Sequence, residues 1–286
     1  MKKLKSIIKD LATVDHNNKQ EFSDLIWGFI CYSPQWPVRH HQQQLLDDAE
    51  KFSVKVYDEH FSKTELNVNG FKWGTGKQKV LLTHGWGSKG VDFDELITAL
   101  RQLDVTVIAF DAPGNGSSEG SLSNLLLFAA GVKAVVARFG APEISIGHSL
   151  GAMANVIGLK DTPPRLLISL APLIRLMENF IASLNSQNIS ESEQADFFKS
   201  FVQRFNMQPS GFNMNEVYSF DNSLKHWLAY DDKDMVSPYS YLEDYLHKHQ
   251  SVIATKFEGV GHERIIKDEG VIGEIVEKVK DALGIG

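Results

Sequence analysis

The sequence predicts an α/β protein, a mostly parallel sheet with helices on both faces and a helical segment inserted late in the chain. Three observations carry this. Short apolar runs recur at KVLLTHG, VTVIAFDAPG, ISIGHS, RLLISLAP, HWLAYDD and VIATKFEG, as strands buried on both faces require. Helical stretches separate the early runs, namely DFDELITALRQL, NLLLFAAGVKAVVARFG and LGAMANVIGLK, which is the alternation of a parallel sheet. From Leu173 to about Leu224 the strand pattern stops, and afterwards it resumes.

The elements follow in order. Residues 1–52 mix polar and apolar residues and are expected to form an N-terminal helical extension. The opening MKKLKSIIKDLATVDHN starts like an export signal, but Lys9 and Asp10 break its apolar run. LIWGFICY is far too short to span a bilayer, so no membrane insertion is expected. His40 and His41 have no further ligand at a metal-binding spacing and read as a solvated pair. SVKVYDEHF alternates like a strand, and Asn69-Gly70 within ELNVNGFKW is a hairpin signal. The core is assigned to residues 53–172 and 225–286, with a helical cap over 173–224. Within the cap, Ser190 and Glu193 have the spacing of a capping box.

Composition narrows the function. The 286 residues are 43% hydrophobic and 23% charged, ordinary for a globular chain. A net charge of −7 without a basic stripe argues against nucleic acid as a partner. The single cysteine, Cys31, excludes an intrachain disulfide and a multi-cysteine zinc site. It reads as a packing residue in a cytoplasmic, reducing compartment.

The chemistry concentrates in ISIGHSLGAM. Gly147-His148-Ser149-Leu150-Gly151 follows an apolar strand and precedes a helix. A sharp strand-to-helix turn there exposes the serine Oγ, and the flanking glycines let neighbouring backbone approach. A serine hydroxyl needs a base, and the base needs an orienting acid. His262 in GVGHERII lies in a loop after the last strand, with Gly259 and Gly261 expected to allow close approach to the elbow. Three aspartates, Asp231, Asp232 and Asp234, lie between serine and histidine in sequence, so order alone does not choose among them. Asp234, furthest along the loop, is preferred and Asp232 is second. Asp231 abuts the strand as a cap. The turn THGWG places one oxyanion donor, the backbone N–H of Trp86, opposite that of Leu150. His84 shapes that turn. The aromatic cap stripe, with Phe180, Phe197 and Phe201 beside the elbow's His148, supplies the candidate pocket for an apolar acyl or aromatic small molecule.

Taken together, HGWG, DAPGNGSS, GHSLGA, DDKDMVSP and GHERII occur in the order of the α/β-hydrolase superfamily, which this chain resembles over roughly residues 53–283. The resemblance implies the α/β-hydrolase fold, Ser149 as nucleophile, Asp234 as acid and His262 as base. It also implies a structural role for the turn Asp111 to Ser118. A serine at the elbow sets the chain apart from the haloalkane dehalogenases and epoxide hydrolases, and HGWG replaces the HGGG of one esterase branch. More loosely, the chain is similar to bacterial hydrolases with an N-terminal extension and GH-x-R-I after the last strand. The expected activity is hydrolysis of a carboxylic ester or related acyl substrate through an acyl-enzyme, needing neither metal nor organic cofactor. Thioester or carbon–carbon bond hydrolysis with the same triad is the alternative. A non-catalytic ligand-binding protein on this scaffold comes after both.

Overall fold

The computed structural model describes residues 2–285. Three helices come first, α1 (Lys2–Thr13), α2 (Lys19–Cys31) and α3 (His40–Asp47). An eight-stranded sheet follows, with β1 (Glu50–Tyr57), β2 (Glu65–Trp73), β3 (Gln78–Thr83), β4 (Val105–Phe110), β5 (Ile144–His148), β6 (Leu166–Leu170), β7 (Lys225–Tyr230) and β8 (Val252–Lys256). Its spatial order is β1-β2-β4-β3-β5-β6-β7-β8. β1 and β2 are antiparallel to their neighbours, and the other six strands run parallel. This is the mostly parallel α/β architecture that the sequence predicts.

Every residue of β4, β5 and β6 is buried, which explains their continuous apolar runs. Alternate residues feed two cores. Leu81, Ile108 and Phe110 pack with α5 (Leu125–Phe139), α6 (Leu150–Gly158) and residues of α2. Val80, Leu82, Val107 and Ala109 pack on the other face with α4 (Asp94–Leu100) and α12 (Glu269–Leu283). Burying each of the larger side chains contributes roughly 1.5–3 kcal/mol, so the central strands anchor whatever stands at their ends.

Between β6 and β7 lie α7 (Leu176–Ser186), α8 (Glu191–Phe205), a turn of 3₁₀-helix at Pro209–Phe212 and the short α9 (Met214–Val217). The capping box opens α8, with the Ser190 N–H donating to Glu193 Oε2 at 2.9 Å and the Glu193 N–H donating to Ser190 Oγ. After β7 come α10 (Tyr239–Lys248), β8 and the one-turn α11 (Gly261–Arg264). Among the described residues no helix is long and apolar enough to cross a membrane.

Two expectations about the first strands need correction. β1 starts at Glu50, so the helical extension ends earlier than residue 52. Asn69-Gly70 makes no hairpin, because β2 runs straight through it. Gly70 pairs with Phe52 across the ladder, and a Cβ there would lie 2.2 Å from the Phe52 ring. The glycine makes room for that ring. The real reversal lies at residues 58–64, where the Asp58 carboxylate accepts the N–H groups of His60, Phe61 and Ser62. His40 and His41 are both exposed, and His41 Nε2 reaches Asp94 Oδ2 at 2.7 Å.

Candidate active site

The C-terminal ends of β3, β5, β7 and β8 bring the sequence-predicted residues to one place, where open α/β sheets bind ligands. Ser149 sits between β5 and α6 with φ 52° and ψ −121°, a backbone region that costs a non-glycine residue about 1–3 kcal/mol. Its neighbours hold it there. The Ser149 N–H donates to the Leu170 carbonyl at 3.0 Å, and its own carbonyl accepts from Leu173 at 3.2 Å. A Cβ at Gly147 would lie 2.5 Å from Ala152 Cα, and one at Gly151 would lie 2.3 Å from the Thr83 and His84 carbonyls. Both glycines are therefore required for the tight crossing of strand and helix.

His262 lies in α11, within a helical turn rather than the irregular loop expected. Its Nε2 is 2.9 Å from Ser149 Oγ, and its Nδ1 is 2.6 Å from Asp234 Oδ2. Gly259 and Gly261 do not approach the elbow, since a Cβ at either meets nothing within 4 Å. They serve the chain reversal instead, with φ 73° and 66°.

The three aspartates separate by what their oxygens touch. Asp234 is buried, and its second oxygen accepts from Val236 at 2.8 Å and Ser237 at 3.0 Å. Burial alone would raise its carboxyl, but the hydrogen bond and charge of His262, with those two N–H groups, outweigh it and hold the pKa below the usual range. Asp232 points away and faces Lys256 Nζ at 3.3 Å. Asp231 accepts the N–H groups of Lys233 at 3.0 Å and Gly261 at 2.8 Å, so it fastens the aspartate loop to the histidine turn.

On the other side of the serine, neither the Trp86 nor the Leu150 backbone N–H has an acceptor among the described residues. The turn carrying Trp86 is braced from several directions. His84 donates from Nδ1 to the Gly85 carbonyl at 2.7 Å and accepts the Ala112 N–H at Nε2, 2.9 Å away. Burial lowers its pKa despite the nearby Asp111. Asp111 accepts from Gly90 at 2.8 Å and Ser117 at 2.7 Å, which makes residues 111–118 a structural turn. Ser33 of the N-terminal extension accepts the Gly87 N–H at 3.1 Å and donates to Asn115 Oδ1.

An apolar cavity of about 390 Å³ opens above Ser149 and Leu150. Trp86, Phe180 and Phe201 line it. Phe197 and His148 do not. The Phe197 ring turns toward Trp27 of α2, 4.9 Å between centroids, and is buried there. His148 lies below the site and donates from Nε2 to the His262 carbonyl at 2.9 Å. Burial first, then the adjacent His262, lowers its pKa to about 3, so it is a neutral brace. Its Nδ1 has no partner among the described residues.

Other lining residues were not foreseen. Leu4, Phe29, Ile30 and Tyr32 reach the cavity from the extension, and Asn124 from the start of α5. The apolar run LIWGFICY was the available signal for that wall. Asn124 accepts the Leu127 N–H at 2.9 Å, while its Nδ2 has no acceptor among the described residues. Cys31 also borders the cavity; burial raises its thiol pKa to about 12, so it is a protonated packing group. Among the described residues no group of three or more His, Cys, Asp or Glu side chains could hold a metal ion.

Residues 80–263 match the family model described as alpha/beta hydrolase family. The chain belongs to the alpha/beta hydrolase family. Rat monoglyceride lipase is 30% identical over 111 residues, which is 35% of this alpha/beta hydrolase and 37% of the rat protein. The chain thus spans well under half the length of that relative. A putative esterase/lipase 2 of Mycoplasma genitalium is 24% identical over 231 residues, covering 68% of this chain and 86% of that one. Among solved structures, an esterase from Pyrococcus furiosus superposes with TM-score 0.59 at 19% identity, covering 89% and 97% of the two chains. The thioesterase domain of the curacin biosynthetic pathway gives TM-score 0.53 at 17% identity, covering 80% and 99%. At these identities the structural likeness speaks for the fold alone.

Proposed function

We propose that this alpha/beta hydrolase cleaves carboxylic esters with an apolar acyl group, using Ser149 as nucleophile, His262 as base and Asp234 as orienting acid. The observation that carries the reading is one continuous contact chain, from Ser149 Oγ through His262 to Asp234 at 2.9 and 2.6 Å, at the floor of an apolar cavity. His262 takes the serine proton as Oγ attacks the ester carbonyl, and the new oxyanion receives the free N–H groups of Trp86 and Leu150. The imidazolium then protonates the departing alcohol. Water, deprotonated by His262, attacks the acyl-serine and frees the acid. Asp234, ionised well below neutral pH, holds the imidazole tautomer and stabilises its cation.

Esters are favoured over charged substrates because, among the described residues, no Asp, Glu, Lys or Arg side chain lines the cavity. Burying an unpaired charge there would be strongly unfavourable. The relatives named as lipase or esterase agree with this choice. The test is turnover of p-nitrophenyl esters from acetate to decanoate by the wild type and by Ser149→Ala. Hydrolysis that disappears in Ser149→Ala supports the proposal. Equal hydrolysis by both, or none by either, overturns it, and acyl thioesters are the next panel to try.

A further inference from the structure

We infer that the N-terminal extension forms one wall of the acyl pocket and sets how far an acyl chain can extend in it, making the preferred substrates esters of straight-chain acids. The inference rests on the ester-hydrolase reading of the same site.

The extension lies outside residues 80–263 that match the family, yet it is built into the site. Leu4 of α1, with Phe29, Ile30 and Tyr32 at the end of α2 and the segment just after it, lines the cavity together with Phe180 and Phe201 of the cap. Pro34 adds to the wall and packs beside Gly87 in the turn that carries the Trp86 N–H. The segment is fixed at both the site and the core. Ser33 holds the Gly87 N–H, the Ser123 N–H donates to the Cys31 carbonyl at 2.7 Å, and Trp27 is buried against Phe197 and Phe201. Without these residues the cavity would lose one of its walls to solvent.

The wall is wholly apolar or aromatic apart from the Tyr32 hydroxyl, which suits an unbranched hydrocarbon better than a polar tail.

Two substitutions push the wall in opposite directions. Leu4→Trp fills part of the cavity, and Phe29→Ala enlarges it. The kcat/KM ratio of p-nitrophenyl decanoate to acetate is expected to fall about tenfold in Leu4→Trp, and the ratio of tetradecanoate to decanoate to rise several-fold in Phe29→Ala, in line with differential burial of a few methylenes. Lys9→Ala, on the exposed face of α1, should leave both ratios unchanged. A non-specific loss of folding would not shift the two variants in opposite senses. Binding of 1-decanol, measured by calorimetry on Ser149→Ala and on Ser149→Ala/Leu4→Trp, reads the pocket without turnover, and the Leu4→Trp change should weaken it about tenfold. Binding without turnover by wild type would overturn the ester reading and keep the pocket. Ratios and affinity within twofold of wild type in both wall variants would overturn this inference.

Discussion

Two serine–histidine pairs of the same length stand on neighbouring strands of this sheet. Ser149 Oγ lies 2.9 Å from His262 Nε2 at the end of β5, and Ser169 Oγ lies 2.9 Å from His226 Nε2 between β6 and β7. Everything around them differs. His262 turns its other nitrogen to the Asp234 carboxylate at 2.6 Å, whereas His226 faces the Tyr218 hydroxyl at 3.3 Å. Ser149 is strained, borders a cavity and has two unclaimed N–H groups nearby; Ser169 is fully buried in regular strand. Burial lowers the His226 pKa to about 3. A serine–histidine contact is thus only a hydrogen bond. An ionised acid, an open face and donors for an oxyanion are what the proposed ester chemistry adds to it.

The largest effect should come from the first serine. Ser149→Ala is expected to lower kcat by roughly 10⁴–10⁶, as loss of a nucleophile does in enzymes of this kind. A fluorophosphonate probe should label Ser149 and leave Ser169 unmodified, read by peptide mass mapping. Labelling at Ser169 would break the comparison at its root.

Asp234→Asn follows, with an expected loss of about 10⁴ in kcat because the amide no longer orients or stabilises the cationic ring. Asp232→Asn should stay within twofold of wild type, since its carboxylate faces Lys256 across a half-exposed gap. Near-full activity in Asp234→Asn together with a large loss in Asp232→Asn would move the acid to Asp232.

This choice marks where the sequence stopped being legible. The parallel strands and the elbow were readable because burial on both faces and the crossing of β5 with α6 each force particular residues. Order along the chain could not rank three aspartates in one loop, whereas the positions of Val236, Ser237 and Lys256 do. Asn69-Gly70 misled because a glycine accommodating an opposing ring has the same letters as a turn. Phe197 and Phe201 lie on one helix, both buried and both against Trp27, yet only Phe201 lines the cavity. Long-range packing of that kind leaves no local pattern.

The buried pair should be visible in acid instead. His226 has a folded pKa of about 3 against an ordinary 6.5, so the unfolded chain takes up the proton first. Stability contributed by the neutral ring is complete above about pH 6.5 and declines as pH falls toward 3, by up to about 1.4 kcal/mol per pH unit. Urea unfolding between pH 6.5 and 4.5 should therefore give a shallower dependence in His226→Gln than in wild type. Parallel curves would mean that folding does not lower the His226 pKa.

Ser169→Ala is the smallest change and the sharpest contrast with Ser149→Ala. It removes one buried hydrogen bond and leaves His226 Nε2 without that partner, a cost of about 1–3 kcal/mol, and leaves a small void in β6. Activity should remain within twofold of wild type, because Ser169 borders no part of the cavity. The Ser149 N–H does bond to Leu170, the next residue along β6, so a displaced strand would be felt at the elbow. A stability loss with unchanged kcat keeps the two pairs distinct in role. A tenfold fall in kcat at unchanged KM would instead make the buried pair part of what holds Ser149 in its strained conformation.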